Sequence, residues 1–141
     1  MAASKDQYVL DQQVGYLLRL ANQRHGIIFQ NLALDGLTPT QFSTMNRLLE
    51  HGPCSQNHLG RLAGMDVATI KGVVDRLRHR EFVKIESDPE DKRRLLVSLT
   101  AKGETLAKNM QDVGLQITEE TLEPLNNDER SALLSALQKI T

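Results

Sequence analysis

Apolar residues recur at three- and four-residue steps through the first quarter of the chain: Val14, Leu17, Leu18, Ala21, Ile28, Phe29 and Leu32, with His25 in the same stripe. This spacing predicts a long amphipathic helix over residues 9–32, stopped by Asp35 and Gly36. Thr38, Pro39 and Gln41 then stand in the order of a helix start: a cap, a first-turn proline and a reciprocal Gln. The helix they open runs from Pro39 to about His51, should bury Phe42, Met45, Leu48 and Leu49, and ends at Gly52-Pro53. Ser55 caps a short helix with Leu59, Leu62 and Ala63 on its apolar side, and Gly64 suits the left-handed residue just past its end. Asp66 caps the next helix, Val67 to about Arg80, with Val67, Ile70, Val73, Val74 and Leu77 facing inward. Two short helices joined by a tight turn make a helix-turn-helix.

After Glu81 the period shortens. Phe82, Val83 and Ile85 predict one strand, and Val97 and Leu99, alternating with Leu96, Ser98 and Thr100, a second, with Ser87 to Asp91 as the tip. A hairpin directly behind a helix-turn-helix is a wing. Thr100 then caps a helix carrying Leu106, Met110, Val113 and Ile117 to about Glu120, and Asn126 with Glu129 starts a last helix striped by Leu133, Leu134, Leu137 and Ile140. The expected fold is mainly α with a small β-hairpin wing, in a single domain with no internal repeat or linker. Residues 38–100 form the winged helix-turn-helix, flanked by helices in 8–34 and 101–141. The apolar faces of these flanking helices exceed what one small module covers, which points to dimerisation through them.

Composition narrows the function. The chain has 141 residues, 40% hydrophobic and 4% aromatic with no Trp; a domain of this size buries roughly 70% of its unfolded surface without a metal or disulfide. The single cysteine, Cys54, forms no internal bridge, which suits a reducing compartment, and no run approaches a membrane span or a secretory signal, so the expected location is the cytoplasm. The four His (25, 51, 58 and 79) lack metal-ligand spacing, and no nucleophile–base pair or phosphate-cradling glycine loop is evident. No metal, cofactor or enzymatic activity is therefore expected. The net charge of −1 hides a local bias: from Arg61 to Arg94 nine Lys or Arg stand against seven Asp or Glu. Phosphate affinity would then depend on where these charges point and on two copies acting together.

The segment Ser55-Gln56-Asn57-His58-Leu59, then Asp75-Arg76-Leu77, then Asp88-Pro89-Glu90-Asp91-Lys92-Arg93, closed by Val97-Ser98-Leu99-Thr100 and Lys102-Gly103, resembles the MarR family of winged helix-turn-helix regulators. The resemblance implies a triangular homodimer held by the first and last helices, bound to a pseudo-palindromic duplex operator and usually acting as a repressor released by a small ligand. Asp11 to Arg19 is similar to members that control aromatic-acid catabolism, such as hydroxycinnamate, benzoate or nicotinate pathways, which implies an aromatic acid or phenol as effector.

In a winged helix the second helix enters the major groove, and its outward residues near the start reach base edges; here these are Ala68, Thr69, Lys71 and Gly72. The family pattern often has Arg where Gly72 stands, so Thr69 and Lys71 are the expected base readers, with plain solvation of the helix as the alternative. Arg93 resembles the family's minor-groove arginine, with Asp91 placed to hold it. Lys92, Arg94, Ser55, Gln56 and Asn57 would contact phosphates. The family resemblance gives Arg76 a tie between helix and wing or a phosphate contact, against a surface ion pair as the alternative. The family pocket lies between the dimerisation helices and the winged module, which makes His25, Arg19, Asn22 and Met45 candidates for effector binding; a satisfied core or interface His25 is the competing reading. Cys54 is misplaced for a peroxide sensor, whose reactive cysteine lies in the first helix. The rival function is a winged module that binds protein, separable by the salt dependence of nucleic-acid binding.

Overall fold

The computed structural model describes residues 7–141. These form six α-helices and one antiparallel hairpin: α1 Val14–Leu32, α2 Pro39–His51, α3 Gln56–Ala63, α4 Val67–His79, β1 Val83–Ser87, β2 Leu95–Leu99, α5 Ala101–Thr121 and α6 Asn127–Lys139. The described residues divide into two compact units, one of residues 7–32 with 116–141, the other Ala33–Leu115.

In the Ala33–Leu115 unit the local signals are realised almost residue by residue. Thr38 accepts from the Gln41 amide while the Gln41 side chain accepts from the Thr38 amide, closing the capping box of α2. Ser55 accepts from the His58 amide and Asp66 from the Thr69 amide, capping α3 and α4. Gly52 and Gly64 take positive φ (86° and 69°) just past α2 and α3, a conformation open to glycine at little cost. Met45, Leu59, Ile70, Val74 and Leu77 are fully buried, and Val73, Phe82, Val83, Val97, Leu106 and Met110 join them. The register pairs Val83 with Leu99 and Ile85 with Val97.

Several expectations need correction. Val67 is 67% exposed, because it occupies the first turn of α4, where the helix has not yet met its neighbours. Phe42 and Leu49 are half-buried, while Gln41 and Thr44 are buried in their place, the Thr44 hydroxyl donating to the Thr40 carbonyl. The wing loop is residues 88–94, so Ser87 closes β1 and Lys92, Arg93 and Arg94 belong to the loop. Cys54 also pairs with the wing, which no alternation of residues announces: its amide donates to the Val97 carbonyl (3.1 Å) and its carbonyl accepts from the Val97 amide (2.7 Å), adding a third, one-residue strand.

The start of α5 is joined closely to the wing. The Thr100 amide donates to the Phe82 carbonyl and its hydroxyl to the Glu81 carbonyl, while the same hydroxyl accepts from the Gly103 amide. A Cβ on Gly103 would overlap the Phe82 carbonyl oxygen, so only glycine permits this approach. Leu106, Ala107 and Met110 carry α5 into the same core, and the compact unit accordingly extends to Leu115 beyond the expected boundary at Thr100.

The other unit looks different. Helix α1 begins at Val14, not residue 9, after a 3-10 turn at Leu10–Gln12 and an extended Gln13, whose side-chain amide donates to the Val9 carbonyl. Among the described residues of this unit, Phe29, Ile117 and Leu122 are its buried apolar side chains. Asn126 and Glu129 form the capping box that starts α6, yet α6 buries no residue.

Candidate nucleic-acid interface

The exposed side of the Ala33–Leu115 unit gathers most of the residues singled out for DNA contact. Ser55, Gln56 and Asn57, at the start of α3, share a shallow groove of about 250 Å³ with Ile85, Leu95 and Val97 of the wing. The Ser55 hydroxyl accepts from the His58 amide at 3.3 Å. On α4, Ala68, Thr69, Lys71 and Arg76 are exposed and Gly72 half-exposed. Lys71 pairs with Asp75 one turn on at 2.7 Å, both side chains more than half exposed. Such a pair contributes only ~0.3–0.5 kcal/mol, so a phosphate or base can compete for Lys71. Arg76 has no ion-pair or hydrogen-bond partner among the described residues, neither acid nor wing; its guanidinium lies over Gly72.

The acids of the wing loop shape the backbone. The Asp88 carboxylate accepts from the Glu90 amide (2.9 Å), its amide donates to the Arg94 carbonyl (2.8 Å), and the Asp91 carbonyl accepts from the Arg94 amide (2.9 Å). The Asp91 carboxylate accepts from both the amide and the Nε of Arg93, at 3.1 and 3.4 Å. These bonds fold the loop and leave the Arg93 side chain 94% exposed. Lys92 and Arg94 are exposed beside it. A run that is almost neutral in sequence thus has its Asp88 and Asp91 carboxylates bonded to its own backbone, while Lys92, Arg93 and Arg94 stand exposed.

Two titratable groups are displaced from their ordinary range. Hydrogen bonds from Thr69, amide first and then side chain, hold the Asp66 carboxyl below the usual value, so the cap of α4 stays ionised. Burial pushes the Cys54 thiol up, opposed in part by the Arg94 guanidinium; a protonated, buried thiol is a poor nucleophile, which argues against redox sensing. The described residues contain no cluster of three or more His, Cys, Asp or Glu able to hold a metal. None of their helices is long and apolar enough to cross a membrane.

In the unit that holds α1 and α6, a cleft of about 350 Å³ is lined by apolar side chains of both helices together with Asn22, His25, Thr118 and Thr121. His25 Nδ1 lies 2.8 Å from the Thr121 hydroxyl, and its ring is tilted against Phe29 at 6.3 Å. The structure therefore brings together two of the four candidate effector residues, His25 and Asn22. Arg19 is exposed with its guanidinium 5.5 Å from the Tyr16 ring centroid, and Met45 is a fully buried core residue of the Ala33–Leu115 unit; neither lines the cleft. Thr121 was not legible in the sequence because its link to His25 spans 96 residues, and nothing local marks it or the neighbouring Thr118.

A helix-turn-helix followed at once by a wing defines a winged-helix module. The family model described as "MarR family" matches residues 37–95. The HTH-type transcriptional repressor NicR of Pseudomonas putida is 45% identical over 134 residues, covering 94% of this chain and 85% of NicR. A probable transcriptional regulator from Pseudomonas aeruginosa superposes with a TM-score of 0.90 at 45% identity, over 94% of this chain and 100% of that one. BpsR of Bordetella bronchiseptica, a protein whose DNA binding is regulated by 6-hydroxynicotinic acid, superposes with a TM-score of 0.88 at 39% identity, over 95% and 96% of the two chains. The chain belongs to the MarR family.

Proposed function

We propose that this protein is a transcriptional repressor that binds a pseudo-palindromic operator as a homodimer and is released by a small aromatic acid or phenol. It acts by binding, in the cytoplasm, and not by catalysis. The observation that carries the reading is the wing loop, in which the Asp88 and Asp91 carboxylates bond the loop's own backbone while Arg93 stands 94% exposed at its tip. A guanidinium so presented suits a narrow minor groove, while α4 offers Thr69, Lys71 and Gly72 to the major groove and the start of α3, with Lys92 and Arg94, meets phosphates.

Homodimerisation is supported by the apolar stripes of α1 and α6, which stay open among the described residues. Two modules then meet half-sites about one helical turn apart. The effector reading is supported by the likeness to NicR and BpsR and by the cleft at His25, which offers an apolar wall and a few polar groups to a flat ring. An effector that prefers a dimer with different module spacing lowers the population competent for DNA, by no more than its differential affinity for the two states.

The test is a titration of labelled operator duplex at fixed salt, repeated across a salt series. Arg93→Ala should lower affinity at least 10-fold, as loss of a desolvated groove contact of ~1–3 kcal/mol in each protomer would, with the dimer intact by light scattering. Unchanged affinity, or an affinity for nucleic acid indifferent to salt, would overturn the DNA-binding reading in favour of a protein-binding module. With 6-hydroxynicotinic acid as the probe, wild type should release DNA and His25→Ala should respond less; an equal response in both would remove His25 from the effector site.

A further inference from the structure

We infer that Arg76 reads a base from the recognition helix, and that Gly72 is what lets it reach. The inference rests on the DNA-binding reading above and assigns a residue within it. A helical side chain leans toward the N-terminus of its own helix, so Arg76 is aimed back over the preceding turn. That turn is bare: a Cβ placed on Gly72 would lie 3.1 Å from Nη1, 3.7 Å from Nη2 and 3.8 Å from Cζ of Arg76, which puts the whole guanidinium over the backbone at position 72. Ala68, one further turn back in the same row, is also short.

The row Ala68, Gly72, Arg76 therefore has no long side chain of its own at the groove-entering end of α4, and the arginine from one turn later fills that place. Its charge is uncompensated. The neighbouring carboxylate, Asp75, is held by Lys71 at 2.7 Å, and Arg76 has no ion pair among the described residues. A planar guanidinium with two parallel N–H groups and no carboxylate to satisfy them matches the O6 and N7 acceptors of guanine in the major groove. Gly72 is thus a specificity device acting through Arg76.

The experiment begins with duplexes that the full-length wild-type protein enriches from a randomised pool. Arg76→Ala should lose on the order of 10-fold or more in affinity for the enriched duplex, keep its affinity for unselected DNA, and enrich a motif that has lost a guanine at one position of each half-site. Gly72→Leu, which pushes the guanidinium aside without removing it, should flatten the same position, and Arg76→Lys should do so while keeping the charge. Gly72→Leu added to Arg76→Ala should change the base preference at that position no further. A uniform loss on all sequences, with an intact motif and a salt dependence lowered by about one phosphate contact per protomer, would make Arg76 a phosphate contact and overturn the inference. So would wild-type discrimination in Gly72→Leu. Failure of the wild type to enrich any motif or to bind in a salt-dependent way would overturn the DNA-binding reading itself.

Discussion

In the Ala33–Leu115 unit every apolar position that the periodicity points inward, Val67 excepted, is buried or half-buried, whereas in the unit of residues 7–32 and 116–141 stripes of the same quality remain open: Val14 is 65% exposed, Leu17 49%, Leu134 47% and Ile140 65%. The helices are equally regular and, at the start of α6, equally well capped. Amphipathic period thus reports that a face needs covering and is silent on what covers it. One unit closes on itself. The other has the surface of a protein that expects company.

The sharpest way to break this contrast is to truncate matched leucines. Leu77→Ala, from a fully buried site in α4, should cost about 2–5 kcal/mol in urea unfolding, with loss of DNA binding. Leu134→Asp should leave the secondary structure intact yet abolish association in sedimentation velocity; a variant that stays dimeric would show that the α6 face is not the interface.

Next in size is the same substitution placed in each unit. Gly103→Ala drives a methyl into the Phe82 carbonyl and should destabilise by about 1–3 kcal/mol or more. Gly15→Ala, in helix α1 with open space around it, should stabilise by up to ~1 kcal/mol. Equal effects in thermal unfolding would mean that α1 is as closely packed as the wing junction.

Caps give a smaller comparison. Asn126→Ala removes the side-chain half of the α6 capping box, leaving the backbone amide at 126 to donate to Glu129, and should cost about 1 kcal/mol, seen as fraying in amide exchange confined to α6. At α4 the cap is a carboxylate whose folded pKa is depressed below its ordinary value of 3.8. Its contribution is therefore present above that value and is lost as pH falls through the lower, folded one. The stability gap between wild type and Asp66→Ala should persist at neutral pH and close only in acid below about 3.8; a gap that closed near pH 6 would assign it to another group.

Local chemistry made most of the fold legible. Thr38 with Gln41, Ser55, Asp66, Thr100 and Asn126 with Glu129 all mark helix starts with groups no more than three residues apart. The residues proposed to face DNA stand together for the same reason, since α3, α4 and the wing are consecutive in the chain. What escaped has long range or no period: the Cys54–Val97 pairing is a single bridge with no alternation to betray it, and the His25–Thr121 contact joins opposite ends of the sequence. Val67 was misread because period alone cannot tell a first turn that precedes the packed layer from one inside it.

Helix positions, their caps, the wing and the family likeness were thus set by the sequence alone, because each depends on neighbours a few residues apart. Tertiary structure alone decided that the Asp88 and Asp91 carboxylates bond the loop backbone while Arg93 stays exposed, that Arg76 folds back over Gly72, and that the stripes of α1 and α6 find no cover among the described residues. The direction of a side chain and the partner of an apolar face are fixed by whatever else occupies the surrounding space, and linear spacing carries no record of that.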